Sequence, residues 1–552
     1  MPSDQPSADQ DAAALQARML ATATASHDLV APLVLEVESL IARLTPRVKS
    51  PILTGLPTFV RSLGRERVTL RRIADDLQGA ALTEDELRDC DKKLEPSRVA
   101  VGHAHLKWSV LKHCRSLVAI NQSFQGSTKE SRREQVSRQE QELQEAGRGN
   151  RMPGHEKYQL HRALKCKARV EVDVVDGGFE WVDIRPLTFP RLVRQMGDAG
   201  WPWGETEDPD EDVDPEDWES VPLAVQVRRL AEAARLNRHE YAVPQVRVVL
   251  PNIGRGDHPD VAVFLAQLAR LDPLVRILIE DRDSDFLKAP TAALEEVLDS
   301  LVGDELAGLT PTLNIDHTIL IDLISDITHA LLTPKPWQAP TTQLQIEEER
   351  RHDDGLMAKT LYPVLAGRRL VCTREAAEHF HDVLRTVGTA SERQRGRLLV
   401  PWDEDTRAMA AEDIRTQFAA LSIHPPPADV QIPITVLPTS WDDPSSVSNA
   451  VEEGRLPRVA LDVARCGNFG SSKLSIYMQG WASGDVTVTS NKEIRGQIRT
   501  WVEAYRQGDE DAGPRICRLN VTRNLLAKSK TAPEGWDGTA REEGNGDGDG
   551  DD

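Results

Sequence analysis

Apolar residues recur three and four positions apart through much of the first 125 residues, which is the spacing of one face of a helix. In LVAPLVLEVESLIARLTPRV they fall at Leu33, Leu35, Val37, Leu40, Ile41 and Leu44. FVRSLGRERVTLRRIADDLQGA and HAHLKWSVLKHCRSLVAINQSF continue the pattern. The spacing predicts a helical unit over residues 26–125, made of antiparallel helices. Residues 1–25, rich in Ala, Ser, Asp and Gln, are expected to be disordered. Residues 126–160 form a polar insertion with no core face, either a charged helix or an unfolded segment.

The pattern shortens to strand alternation after Cys166. ARVEVDVV and FEWVDIRPL read as two strands, and Asp176-Gly177-Gly178 between them is a hairpin signal. A helix (VPLAVQVRRLAEAARL), a strand (QVRVVLP), a second helix (DVAVFLAQLARL) and a strand (VRILIE) follow. Residues 161–285 therefore read as a middle α/β unit with a β-hairpin, interrupted by an acidic loop at 204–219. Residues 286–310 read as a linking helix. A further α/β domain is expected over 311–530. In it TPTLNIDHTILIDLISDITHALL is a strand running into a helix, residues 335–355 are polar and irregular, and RRLVCT is a strand before the helix REAAEHFHDVLRTVG. KLSIYMQG and VTVTS read as strands, NKEIRGQIRTWVEAYRQ as a helix, and RICRLNVT as the last strand. The fold class is α/β with a helical N-terminal unit. Residues 531–552 are expected to be an acidic disordered tail.

Charge changes this picture little. The net charge is −21, but Glu205 to Glu219 holds ten acids and no base, and the tail from Arg541 is net −5, so the rest of the chain carries only −6. The folded body has no strongly basic face to announce nucleic-acid binding. The acidic segments are candidate docking sites for protein partners. Six scattered cysteines show neither a disulfide framework nor zinc spacing. No apolar run reaches the ~20 residues of a membrane span, and the N-terminus has no signal-peptide pattern. No membrane association is expected, and the cytosol or nucleus is the expected location.

The sharpest chemical signal is Asp316. It follows a buried apolar strand and precedes a helix, where open α/β sheets gather ligands outside the carboxyl ends of their strands. A carboxylate there either binds a divalent cation or caps the helix. A hard cation such as Mg2+ or Mn2+ needs several oxygens from different elements. Glu375 and Glu378, on one face of the helix after RRLVCT, and Asp485 and Asn491, flanking VTVTS, are the candidate companions. Asp316, Glu378 and Asp485 are the candidate catalytic set, and a metal held by such a cluster could activate water against a phosphodiester. His379 and His381, two apart on a helix, point away from each other and do not suggest a shared metal.

The order of these residues resembles the PIN-like nuclease domains: a strand ending in Asp, an acid on a later helix, and a late strand ending near Thr-x-Asp. The stretches VDVVDGGFEWV, LNIDHTILIDLIS and SSKLSIYMQGWASGDVTVTSN resemble a eukaryotic family described as domain of unknown function 1308. That resemblance covers residues 28–530 patchily. It implies a helical N-terminal portion and a PIN-like C-terminal domain and brings no known substrate; RNA is a candidate partner of the nuclease reading. One departure matters. Thr489-Ser490-Asn491 stands where Thr-x-Asp would be, which removes a charge from the site. The sequence thus leaves open a PIN-like nuclease or a non-catalytic scaffold retaining the fold. A second resemblance is to the PD-(D/E)xK nuclease core, through Asp173 and Asp183-x-Arg185. Arg185 stands where Lys is expected, and the same residues also read as a plain amphipathic hairpin.

Overall fold

A computed structural model describes residues 8–44, 53–145, 152–205, 208–209, 211–290, 292–304, 306–438, 441, 444–526 and 532. Almost all of the expected tail 531–552, and residues 1–7, lie outside them. The chain divides into two compact units, Met1–Asp304 and Glu305–Asp552, so the expected helical and middle units form one body.

The first unit opens with three helices, α1 (Ala8–Leu44), α2 (Leu56–Gln78) and α3 (Glu84–Leu111). Residues 8–25, expected to be disordered, are helical: their alanines favour helix, and Met19 and Ala23 bury one face. The apolar stripe runs through Val30, Leu33, Val34, Val37, Leu40 and Leu44, whereas Leu35 is 61% exposed. α3 starts at a capping box, Thr83 with Glu86. The helical expectation then fails over β1 (Leu117–Gln125), a strand whose apolar residues pair with a partner that local periodicity does not reveal.

The polar insertion is two helices, α4 (Lys129–Glu145) and α5 (Gly154–Lys167), held by a Lys157–Glu140 ion pair at 2.7 Å. The predicted hairpin is β2 (Arg169–Asp176) and β3 (Glu180–Ile184), with Gly177 at φ 58° and Gly178 at φ 81°, a backbone region that favours glycine. Next come α6 (Phe189–Asp198), α7 (Pro215–Trp218), α8 (Pro222–Leu236), β4 (Gln245–Leu250), α9 (Pro259–Ala269), β5 (Ile277–Asp281), α10 (Asp285–Lys288) and α11 (Leu294–Val302). The sheet order is β1-β2-β3-β4-β5, antiparallel through β3 and parallel from β3 to β5. The acidic loop is not simply solvated: Trp218 is buried against Phe264, and Gln267 Nε2 donates to the Glu211 carbonyl at 2.5 Å.

The second unit runs β6 (Thr312–Ile315), α12 (His317–Asp322), α13 (Asp326–His329), α14 (Pro340–Arg350), α15 (Leu356–Leu365), β7 (Arg369–Cys372), α16 (Arg374–Val387), α17 (Ala390–Leu399), α18 (Glu404–Arg407) and α19 (Ala411–Ala420). It continues with β8 (Thr435–Val436), α20 (Pro444–Glu452), α21 (Val459–Gly467), α22 (Ser471–Ser483), β9 (Val486–Thr489), α23 (Ile494–Tyr505) and β10 (Ile516–Arg518). The region expected to be irregular at 335–355 contains α14. KLSIYMQG is the body of α22 rather than a strand. Leu474, Ile476, Tyr477 and Met478 are all buried, and a helix enclosed on several sides shows no single-face period. Any Cβ at Gly480 would collide with Thr487, so this glycine lets α22 lie directly on β9.

All five strands are parallel, in the order β10-β9-β6-β7-β8. Numbered within the unit this is the doubly wound order 3-2-1-4-5. The chain winds outward from β6 through β7 to β8 and returns to the other side of β6 as β9. The switch point lies between β6 and β9, and the first residue beyond β6 is Asp316.

Candidate functional site

Asp316 caps α12: its Oδ1 accepts from Thr318 N at 3.1 Å. Its Oδ2 accepts from the Tyr477 hydroxyl of α22 at 3.1 Å and from the Thr489 hydroxyl at the end of β9. His317 Nδ1 lies 2.9 Å from Oδ1. Asp316 is buried, which alone would raise its pKa. The His317 contact and the Thr489 and Thr318 donors outweigh burial and hold the carboxyl below its ordinary value. The carboxylate is thus ionised, with donors on both oxygens.

The proposed companions do not gather around it. Asp485 precedes β9 and so lies at the opposite end of the sheet, about 13 Å away along a four-residue strand. Glu375 is at the carboxyl edge, in the first turn of α16, but its Oε1 accepts from Trp441 N at 3.1 Å. Glu378 is exposed and lies 4.0 Å from Arg374. Asn491 turns its side-chain oxygen onto Glu493 N (3.1 Å) and Ile494 N (3.4 Å), the start of α23. Among the described residues, no group of three or more His, Cys, Asp or Glu could hold a metal ion. The donor set therefore does not fit a two-metal nuclease centre: one carboxylate is enclosed by donors, one is at the wrong end, and an amide is spent on a helix cap.

The edge holds residues that pattern reading passed over. Asp322, six residues after Asp316, is fully buried. Its Oδ1 accepts from Thr522 Oγ1 at 2.8 Å and from Arg523 N at 2.7 Å. Its Oδ2 is sealed from solvent without a hydrogen-bond partner, with the Ser490 hydroxyl nearby. Burial pushes this carboxyl up to about 7, against the donors that favour its charge. His317 stacks edge-on against His379 of α16, with ring centroids 4.8 Å apart. His381 turns the other way, its Nε2 lying 2.9 Å from the Val400 carbonyl. Tyr477 went unseen because its helix reads as a strand. His317 was legible only as the neighbour of Asp316.

The hairpin of the first unit has its own polar cluster. Val174 pairs with Val182, so Asp173 faces Asp183 across β2 and β3. Lys107 of α3, 6% exposed, places Nζ 2.5 Å from both Asp173 Oδ1 and Asn121 Oδ1. Asp173 Oδ2 accepts from Ile184 N at 2.7 Å. Arg185 binds Asp183 through both oxygens, at 2.6 and 2.8 Å. Burial, with Asp173 adding to it, raises the Asp183 carboxyl to about 6 despite Arg185. Two cations face two carboxylates here.

The fold and the carboxyl-edge residues define a doubly wound α/β domain with an ionised acid at its switch point. Compared with family models, curated proteins and solved structures, the chain matches none of them. No helix among the described residues is long and apolar enough to cross a membrane.

Proposed function

We propose that the C-terminal unit is a PIN-like domain that works as a binding module and no longer as a metal-dependent nuclease. The observation that carries this reading is the enclosure of Asp316 by Thr318, Tyr477 and Thr489, with Asp485 at the far end of the sheet. A metal would have to displace neutral donors that already stabilise the carboxylate. The switch-point crevice supports a ligand at this edge. The cleaving alternative rests on Asp322, a second buried carboxyl on the same short helix.

The test is Mn2+-dependent cleavage of labelled single-stranded RNA by the full chain and by Asp316→Asn. The asparagine keeps the helix cap, so the variant should fold. Neither protein is expected to cleave. Cleavage by the wild type that the substitution abolishes would overturn the reading, and cleavage by both would place a nuclease centre elsewhere in the chain.

A further inference from the structure

We propose that the surface holding residues 519–526 is a peptide-binding groove, filled in cis by that segment and open in trans to an extended partner segment in which a Leu follows an Arg by three positions. The inference goes beyond the reading of Asp316 and does not depend on it. β10 ends at Arg518, and the chain then runs without helix or strand from Leu519 to Leu526. Leu519 N still donates to the Thr489 carbonyl at 2.9 Å. Beyond it, the main chain is held by side chains. Arg523 N donates to Asp322 Oδ1 at 2.7 Å, Asn524 N to Gln345 Oε1 at 3.0 Å and Leu526 N to Glu392 Oε1 at 2.7 Å. The Asn524 carbonyl accepts from Ser325 Oγ at 2.6 Å. A receptor holds an extended peptide in this way, with main-chain bonds that give affinity and pockets that read particular side chains.

Two pockets read this segment. The first takes Arg523, whose side chain is 1% exposed. Its Nε and Nη2 both donate to Glu349 Oε2, at 2.9 and 2.7 Å, and its Nη1 reaches Glu348 at 3.3 Å. That planar fork selects arginine over lysine. Glu349 is itself buried, and its Oε1 accepts from Met357 N at 3.1 Å. An empty groove would leave this carboxylate without its cation, so the groove favours a segment that brings one. The second pocket takes Leu526, which packs with Ile327, Ile346 and Leu332 in a small apolar cluster apart from the main core of the unit. Between and before these anchors, Val521 and Leu525 are only half-buried against the main core, and Asn520 and Asn524 are exposed. The hold is thus concentrated in one ion pair, one satellite pocket and a few polar bonds. The segment can leave the groove from Asn520 onward while Leu519 and the rest of the main core stay packed.

The probe is a fluorescent peptide of residues 519–526, titrated into the full chain and three variants of it, with melting curves as a folding control. The wild type should bind it weakly, because its own tethered segment competes at an effective concentration on the order of millimolar. Arg523→Ala loosens that segment and should bind the peptide at least about ten-fold more tightly, as the tethered competitor is lost. Combining Arg523→Ala with Glu349→Gln removes both charges of the buried pair, so this protein should fold at least as well as the single variant. It should lose the gain in affinity, and so should a peptide with Ala in place of its Arg. Leu526→Ala leaves the ion pair intact and should show a smaller gain over the wild type, which keeps the test decisive if Arg523→Ala does not fold. The groove is refuted if neither Arg523→Ala nor Leu526→Ala gains over the wild type, or if the double variant binds the peptide as well as the single one. A dimer of the wild type that the double variant fails to form would give the groove to a second copy of the chain and overturn its closure in cis.

Discussion

Each unit sets two largely enclosed carboxyls close together, across a sheet in the first and along one short helix in the second, and each handles them differently. In the first unit Asp173 and Asp183 face Lys107 and Arg185, ammonium and guanidinium groups within 2.8 Å. In the second, Asp316 and Asp322 are surrounded mainly by neutral donors: Thr318 N, Tyr477, Thr489, Thr522 and Arg523 N. A buried set with balanced charge is stable as it stands and has little reason to recruit a ligand. Such a cluster reads as a brace between α3 and the sheet, and it explains why the nuclease-like pattern of the hairpin need not mean chemistry. In the switch-point set the basic group in contact is a histidine, His317, 2.9 Å from Asp316 Oδ1, rather than an ammonium or guanidinium group. One of its acids stays charged, and burial raises the carboxyl of the other to about 7.

The largest effect should come from breaking the balanced set. Lys107→Met keeps most of the apolar stem and removes the charge, leaving Asp173, only 14% exposed, without its cation. Loss of one partner of a buried pair costs about 3–5 kcal/mol. Native-state hydrogen exchange in β2 and β3 should register that loss. Adding Asp173→Asn should recover most of it, since the amide oxygen can still accept from Ile184 N. A loss below about 1 kcal/mol, or no recovery in the double variant, would mean that the ammonium and Asp173 are not coupled and that the cluster is not a brace.

A somewhat smaller effect belongs to Asp322 and depends on pH. Its carboxyl titrates near 7 in the folded protein, above the ordinary 3.8, so the native state holds the proton more tightly than the unfolded chain does. Stability contributed by the protonated group is full below about 4. It is lost as pH rises toward about 7 and is constant beyond that. The upper bound for the swing is about 4 kcal/mol. Asp322→Asn mimics the neutral form and should flatten this slope, equalling or trailing the wild type at pH 5 and exceeding it at pH 8. Urea unfolding of both proteins across that range checks it. A variant less stable than wild type at pH 8 would show that the charged form is preferred and the assignment wrong.

This contrast was only half legible in the sequence. Strands whose apolar residues alternate or run bare between turn residues, such as β2, β3, β4, β5 and β9, can be read directly. So can Asp316, because an acid after an apolar run stands out. β1 could not be separated from α3, since LVAINQSF alternates only against a partner fifty residues away in the chain. α22 could not be recognised as a helix, because burial on several sides erases the amphipathic stripe. That misreading hid Tyr477, and with it the enclosure of Asp316. The placement of Asp485 failed for a simpler reason. It lies beside the correct strand, but at the amino end, and strand direction follows from the crossovers rather than from local pattern. Lys107 was invisible as the partner of Asp173, because the contact joins a helix to a strand 66 residues on.

The finest test of the comparison is Tyr477→Phe. The hydroxyl donates to an ionised, buried carboxylate, and such a bond contributes about 1.5–3 kcal/mol. Burial, followed by the charge of Asp316, raises the tyrosine pKa, so the phenol stays protonated and keeps donating at any physiological pH. Thr489 remains to hold Oδ2, so the loss should fall at the lower end of that range. If Asp316 serves only as a cap stabilised by neutral donors, hydrogen exchange in β6 and β9 should speed up by that amount, and Mn2+ should not restore protection. If Mn2+ restores protection in the variant and not in the wild type, removing one donor has opened a cation site. The enclosure of Asp316 would then be a closed state of a metal centre rather than its replacement.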